Sequence, residues 1–178
     1  MQQAVLNFWF EETPQQSWWS ANPEFDELIR QRFGPVLEQA ARAELSDWRS
    51  TPMGRLAEII VLDQFSRNVY RNTARAFSQD AMALVLSQEA IATGAPREMK
   101  AIEQVFLFMP FMHSESRLIH QQAEVLFRNT GLKSNLEFEL KHKAIIDRFG
   151  RYPHRNKILE RTSSAEEIEF LKQAGSSF

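Results

Sequence analysis

Three stretches of the chain mix aromatic residues with arginine, histidine, asparagine and carboxylates. They are Asp63-Gln64-Phe65-Ser66-Arg67-Asn68-Val69-Tyr70-Arg71, Met109-Pro110-Phe111-Met112-His113-Ser114-Glu115-Ser116, and Arg148-Phe149-Gly150-Arg151-Tyr152-Pro153-His154-Arg155-Asn156. Two kinds of chemistry suit these residue types. His113 and His154 titrate near neutral pH, and Glu115 or Asp63 would orient them, so these four are the candidate acid–base groups. Arg67, Arg71, Arg75, Arg151 and Arg155, with Asn68 and Asn156, offer guanidinium forks and amides that suit a carboxylate or phosphate, so these seven are the candidate ligand-binding residues.

Each reading has a plainer rival. Ser114 beside His113 is not a triad, because adjacency in sequence does not give triad geometry. It suits a helix N-cap instead, with Glu115 in the first turn. His113 and His154 with Glu115 or Asp63 would make a metal site, but no HExxH or equivalent spacing is present, so no metal and no cofactor is expected. His120 and His142 fall on helix surfaces by spacing. Asp63 and Arg67 stand i,i+4 and would pair on the helix surface. Arg67, Arg148 and Arg151 lie near helix C-termini, where a cation is stabilising without any ligand.

The charge pattern favours an anion. Between Gln64 and Gln79 stand three arginines and no acid, and from Arg148 to Leu159 the arginines, Lys157 and His154 again have no acid among them. The whole chain carries a net charge of -2, so a basic end on it would be a local concentration. A weakly acidic total argues against general nucleic-acid binding.

The elements that position these stretches read as helices. Phe is abundant at 14, with 4 Trp, while Gly and Pro are scarce at 6 and 7. Few breakers and many bulky apolar residues favour long helices over a loop-rich β fold. Val5 to Phe10 make a short apolar element, ended by Thr13-Pro14, and Trp18 and Trp19 follow in a loop as a lid on the core. Asn22-Pro23 and Thr51-Pro52 are start signals. Gly34-Pro35 predicts a kink or break in the helix after Asn22. Further helices are expected from about Ser78 or Asp80 to Thr93, from Met99 to Met109 with a stop near Pro110, from Ser114 to Gly131, and from a Ser134–Glu137 capping box to Gly150. Pro153 starts a short one. A Ser164–Glu167 capping box opens the last, which Gly175 closes. Leu62, Phe65, Phe106, Phe127, Ile145 and Phe149 are the expected core.

Short connections make neighbouring helices antiparallel. Alternating direction then carries all three unusual stretches to one end of the array, and leaves only turn residues at the other. Length and composition fit one domain over residues 1–178. No cysteine is present, so neither a disulfide framework nor a thiolate zinc site is available. The first ten residues hold no Lys or Arg, unlike a signal peptide, and no apolar run is long enough for a membrane span. A cytoplasmic protein is expected.

The same stretches carry a resemblance. Leu62-Asp63-Gln64-Phe65-Ser66-Arg67-Asn68, Arg75-Ala76-Phe77, Met109 to Glu115, and Phe149 to Asn156 with Ile158-Leu159 resemble the bacterial "domain of unknown function 924" family. The likeness starts at Asn7-Phe8-Trp9-Phe10 and spans nearly the whole chain. That family usually has Pro where this chain has Ser66, which lets the helix run on toward Asn68 here. The resemblance implies an all-α, TPR-like array of antiparallel helical hairpins. It implies no activity and no catalytic residues.

Two functions fit. One is a TPR-like binding module whose basic, Arg/His-rich end holds an anionic group, either a small ligand or an acidic peptide segment. The other is an enzyme acting on a small anionic substrate, with Arg67, Arg71 and Arg151 on the anion and His113 or His154 as general acid or base. An open concave face elsewhere on the molecule would favour the first, and a closed pocket beneath the basic end the second.

Overall fold

Cap and proline signals set the helix starts wherever no stronger packing force competes. The computed structural model describes residues 1–177. α1 (Gln2–Asn7) runs into a π-helical turn, Phe8–Glu12, and stops at Thr13, whose hydroxyl donates to the Phe8 carbonyl at 2.7 Å. Asn22 Oδ1 accepts the backbone N–H of Glu24 at 2.9 Å and of Phe25 at 3.2 Å, and opens α2 (Pro23–Ala41). Thr51 caps α3 (Pro52–Ile60), which continues through a π-helical turn, Val61–Phe65, into α4 (Ser66–Val69). Then follow α5 (Asp80–Ala92), α6 (Ala101–Met112), α7 (Arg117–Asn129), α8 (Lys133–Phe149) and α9 (Ala165–Phe170). Short 3₁₀ turns join several of them, and among the described residues no strand forms. The chain is all-α.

Four expected boundaries are corrected. α2 passes through Gly34-Pro35 unbroken. Pro35 costs one backbone bond, but Phe33, Val36, Leu37 and Ala40 are all buried around it and hold the helix together. α6 likewise runs past Pro110 to Met112, because Phe111 and Met112 are buried and the His113 N–H closes on the Met109 carbonyl at 3.0 Å. The Ser134–Glu137 box does not form. Leu132 packs against the core and becomes the cap position, so α8 starts two residues earlier. α9 ends at Phe170, well short of Gly175, and turns follow it.

The continuous α3–α4 segment runs antiparallel to α5, and α7 runs antiparallel to α8. Arg55 pairs with Glu89 at one end of the α3–α5 contact and Arg67 with Asp80 at the other. His120 of α7 meets Glu139 of α8, while Arg117 reaches the Asp147 carbonyl at 3.3 Å. Ser87 of α5 donates to the Leu107 carbonyl of α6.

The core is aromatic. Phe65 lies 5.1 Å from Phe33, 5.7 Å from Trp9 and 6.2 Å from Phe8, ring centre to ring centre. Leu62, Phe106, Phe127 and Ile145 are buried as expected, but Phe149 is only half-buried and leans on Phe170 at 5.0 Å. Trp18 donates its indole N–H to the Trp9 carbonyl at 3.0 Å, and both Trp18 and Trp19 rest on Phe106, as a lid would. No helix among the described residues is long and apolar enough to cross a membrane.

The cap at Asn22 gives a small, clean test. Asn22→Ala strands two backbone donors at an exposed helix start and should cost about 1 kcal/mol in urea unfolding. A loss indistinguishable from zero would mean that packing alone fixes the start of α2.

Candidate functional site

The end of α3 and its π-helical turn aim Asp63 into the protein. A π turn adds a residue to the helix and re-aims the side chains in it. The Asp63 carboxylate is buried and accepts three donors: His113 Nδ1 at 2.7 Å, Gln64 Nε2 at 2.6 Å and Arg67 Nη1 at 3.1 Å. Arg67 also donates to the Asp63 carbonyl at 2.9 Å and, through Nη2, to Asp80 Oδ2 at 2.9 Å. Arg155 completes the cluster, donating to Asp80 at 3.2 Å and to the His113 carbonyl at 3.1 Å. Its guanidinium is held between the Phe77 and Tyr152 rings, 4.5 Å from each centre. The stretches around Asp63, His113 and Arg155 thus meet at one end, as alternating helix direction predicts.

The electrostatics of this cluster close on themselves. Burial pushes the Asp63 carboxyl up, but Arg67 and His113 outweigh it and hold it well below the usual carboxylate range. Burial and then the nearby Arg67 push His113 down, so it is neutral at neutral pH. Its Nδ1–H donates to Asp63, which leaves the lone pair on Nε2. Burial lowers Arg155 and Arg67 lowers it further, yet both guanidiniums stay charged. Two carboxylates face two guanidiniums, and the sum is zero.

A second layer lies behind Tyr152. Gly150 takes a left-handed conformation (φ 71°) and turns the chain off α8 so that Tyr152 enters the interior. Its hydroxyl donates to the Met112 carbonyl at 2.5 Å. His120 Nε2 stands 2.9 Å from the Ser114 carbonyl and 3.2 Å from the Tyr152 hydroxyl, so it must donate. His120 Nδ1 and Glu139 Oε1, 2.8 Å apart, then share one further proton. Burial raises the Glu139 carboxyl. His142 and His154 flank the Tyr152 ring at 5.8 and 5.5 Å.

Reading His120 and His142 as surface residues is therefore corrected: both are buried. The signal was present, because His120 shares a helix face with Ala123 and Phe127, and His142 shares one with Glu139, Ile145 and Ile146. Ser114 is not the N-cap of α7. Ser116 fills that role, and Ser114 to Ser116 stay outside the helix. Glu115 accordingly leaves the first turn, pairs with Arg161 at 2.6 and 2.9 Å, and accepts the Tyr152 N–H at 2.8 Å. Asp63 thus pairs with His113, one of the acid–base pairs expected, while Glu115 serves Arg161 and the Tyr152 backbone.

The absence of acids around the arginines holds along the sequence but not in space. Arg71 forks onto Asp26 at 2.6 and 2.8 Å, and Asn68 donates to the same carboxylate at 2.7 Å. Arg75 pairs with Glu38 at 2.8 Å, beside Tyr70. Arg151 pairs with Glu167 at 2.7 Å and Arg148 with Glu166 at 2.8 Å. Asn156 bridges Ser163 and Arg161. α2 and α9 supply the missing acids, which corrects the premise of uncompensated positive charge.

One open concavity lies elsewhere. α5 and α7 flank α6 and leave a shallow, open groove of about 530 Å³ between them. Gln88, Ile91 and Ala92 form one wall, Leu118, Gln121, Gln122, Val125 and Leu126 the other, and Phe111 the floor. Leu118 and Val125 are 63% and 56% exposed although both are large and apolar. No charged side chain lines the groove.

A family model described as a bacterial protein of unknown function (DUF924) matches residues 5–175. The chain belongs to this family. It is also similar to the solved structure of a protein of unknown function from Agrobacterium tumefaciens, at 34% identity over 96% of each chain and a TM-score of 0.91. Among curated proteins, none matches.

The DUF924 motifs quoted from the sequence fall on the polar cluster. Leu62 to Asn68 supplies Asp63, Gln64 and Arg67, Arg75-Ala76-Phe77 supplies the ring under Arg155, and the segment ending at Asn156 supplies Tyr152 and Arg155. α4 runs past Ser66 to Val69, as a residue other than Pro at that position allows.

Proposed function

We propose that this DUF924 protein is a binding module whose working surface is the groove between α5 and α7. The observation that carries this reading is the groove itself: two helices with one between them present exposed apolar side chains across a buried aromatic floor. Exposed apolar surface gathered in a concavity is how a docking site differs from scattered surface leucines. The helical succession α5 to α8 is compatible with a TPR-like array, in which such a face receives a partner. The anionic half of the sequence reading finds less support. Each guanidinium proposed to hold an anion already faces a carboxylate, so no unbalanced charge asks for one. The acid–base alternative keeps one supporting feature, the Asp63–His113 pair, whose imidazole side chain is only 13% exposed.

The test is selection from a displayed library of short peptides, followed by titration of a selected peptide by fluorescence anisotropy. A dissociation constant on the order of 10 μM is expected, weakened about tenfold or more by Leu118→Glu or Val125→Glu. Both side chains are largely exposed, so the helical circular dichroism should stay unchanged. Enrichment of the same peptides by the Leu118→Glu protein would remove the groove from the function.

A further inference from the structure

We propose that His113 is a general base, and that its Nε2 takes a proton from water as that water attacks a small uncharged ester. This site is separate from the groove and does not depend on it. Every other polar group of His113 is already committed. Its backbone N–H closes on the Met109 carbonyl at 3.0 Å, and its own carbonyl accepts Arg155 Nη2 at 3.1 Å. Nδ1 donates to Asp63 at 2.7 Å. Nε2 has no protein partner among the described residues, and it is not sealed from solvent. The ring is thus fixed in place and in tautomer, with its lone pair facing water. Behind it stand a buried carboxylate and two guanidiniums, Arg67 and Arg155, whose side chains are 18% and 7% exposed. Apolar packing would join the same helices without desolvating these charges. A buried polar network whose open position is an imidazole lone pair has the build of a general base with its orienting acid.

The chemistry follows from that build. As Nε2 takes the proton, the water oxygen bonds the carbonyl carbon and the carbonyl π pair moves onto oxygen. The imidazolium forms against ionised Asp63, so its charge is paired at once. When the bond to the leaving oxygen breaks, Nε2 returns its proton there, and an acid and an alcohol result. Water is the nucleophile because no serine, threonine or lysine side chain meets Nε2 among the described residues. The substrate is uncharged because Arg67 and Arg155 already face Asp63 and Asp80, which leaves no cation for an anion. It is small because the imidazole is only 13% exposed. Burial and Arg67 lower the basicity of His113 against Asp63 and Asp80, so Nε2 stays unprotonated into mildly acid solution.

The probe is 4-nitrophenyl acetate with the full chain, followed by release of nitrophenol. Its second-order rate constant should exceed that of free 4-methylimidazole by about tenfold or more. The rate should stay level below a pH of about 6.5, where free imidazole is already protonated. It should be slower in D2O and show no burst. His113→Gln, whose amide still donates to Asp63, should lose about tenfold or more. Asp63→Asn changes a positioning residue. Its amide can donate to Nδ1 and hold the wrong tautomer, so the rate should fall and its pH midpoint should move lower. A second arm needs no variant. Diethyl pyrocarbonate should modify His113 ahead of the buried His120 and His142, read by mass spectrometry, and the rate should fall in step. A burst with acetyl trapped on His113 would make it a nucleophile and overturn the general base. A rate no greater than that of free imidazole, or one that His113→Gln or the modification leaves intact, overturns the site.

Discussion

Arg67→Ala should lower the unfolding free energy by about 3–5 kcal/mol, the cost of breaking a buried ion pair by removing one partner. The guanidinium stands between two carboxylates, Asp63 and Asp80, and touches a backbone carbonyl as well. Without it, the buried Asp63 keeps only His113 and Gln64, and Asp80 keeps only Arg155. Asp63→Asn should cost less, because an amide oxygen still accepts from His113 and Arg67 still holds Asp80. Urea unfolding of both variants measures the order. A loss below about 1 kcal/mol for Arg67→Ala would show that the guanidinium is not an internal strut. Low concentrations of phosphate should raise the wild-type melting temperature no more than chloride of equal ionic strength, since no cation in the cluster lacks an acid. A specific phosphate shift, abolished by Arg67→Ala, would return an anion to this end of the molecule.

How far the sequence reached is visible in this one cluster. That Asp63 pairs with Arg67 was readable from i,i+4 spacing, although the pair lies in the interior and not on the helix surface, and the meeting of the Asp63, His113 and Arg155 stretches followed from alternating helix direction. What spacing could not show was where the acids come from. Asp26, Glu38 and Glu167 lie 45, 37 and 16 residues from the arginines they neutralise. A local count of charge is blind to pairs of that range. The proton shared by His120 and Glu139 was hidden for a related reason. A polar residue on an apolar helix face reads as noise until its partner on the next helix is known.

The helix boundaries show the same hierarchy of forces. Asn22 and Thr51 set their starts because nothing competes for those positions. Pro35 and Pro110 failed as breakers because the cost of a lost backbone bond, about 3 kcal/mol in a helix interior, was set against several buried apolar side chains on the same helix. The groove between α5 and α7 was not legible at all. Leu118 and Val125 follow the helical period of a core face, and only the missing neighbour across them marks them as surface.

The buried histidines make stability fall as the pH drops from 7 to 5. His142 is pushed down to about 3 by burial, against the opposing hydrogen bond to the Phe138 carbonyl, and His154 to about 4 by burial first and by the Arg155 guanidinium after it. In the unfolded chain each titrates near about 6.5. A base whose folded pKa is depressed is protonated first in the unfolded state, so acid favours unfolding. Its contribution is complete above about 6.5 and is lost progressively as pH falls toward the folded value. His113, also lowered by burial and Arg67, acts in the same direction. Glu139 opposes them: its raised carboxyl takes a proton in the folded state first, which recovers some stability as pH falls. The other charged groups around Tyr152 are Arg155, Arg67, Glu115 and Arg161. The arginines do not titrate here, and Glu115 and Asp63, both lowered, act only at more acid pH. Two histidines lose roughly 2 kcal/mol each between pH 7 and 5, and Glu139 returns part of that, so a net loss of about 2–4 kcal/mol is expected. Urea midpoints at pH 7, 6 and 5 measure it. His142→Asn keeps a donor for the Phe138 carbonyl but cannot take the proton, and should flatten the slope by close to one proton. If stability is level from pH 7 to 5, or if His142→Asn leaves the slope as it was, the histidines around Tyr152 are not the groups that sense acid.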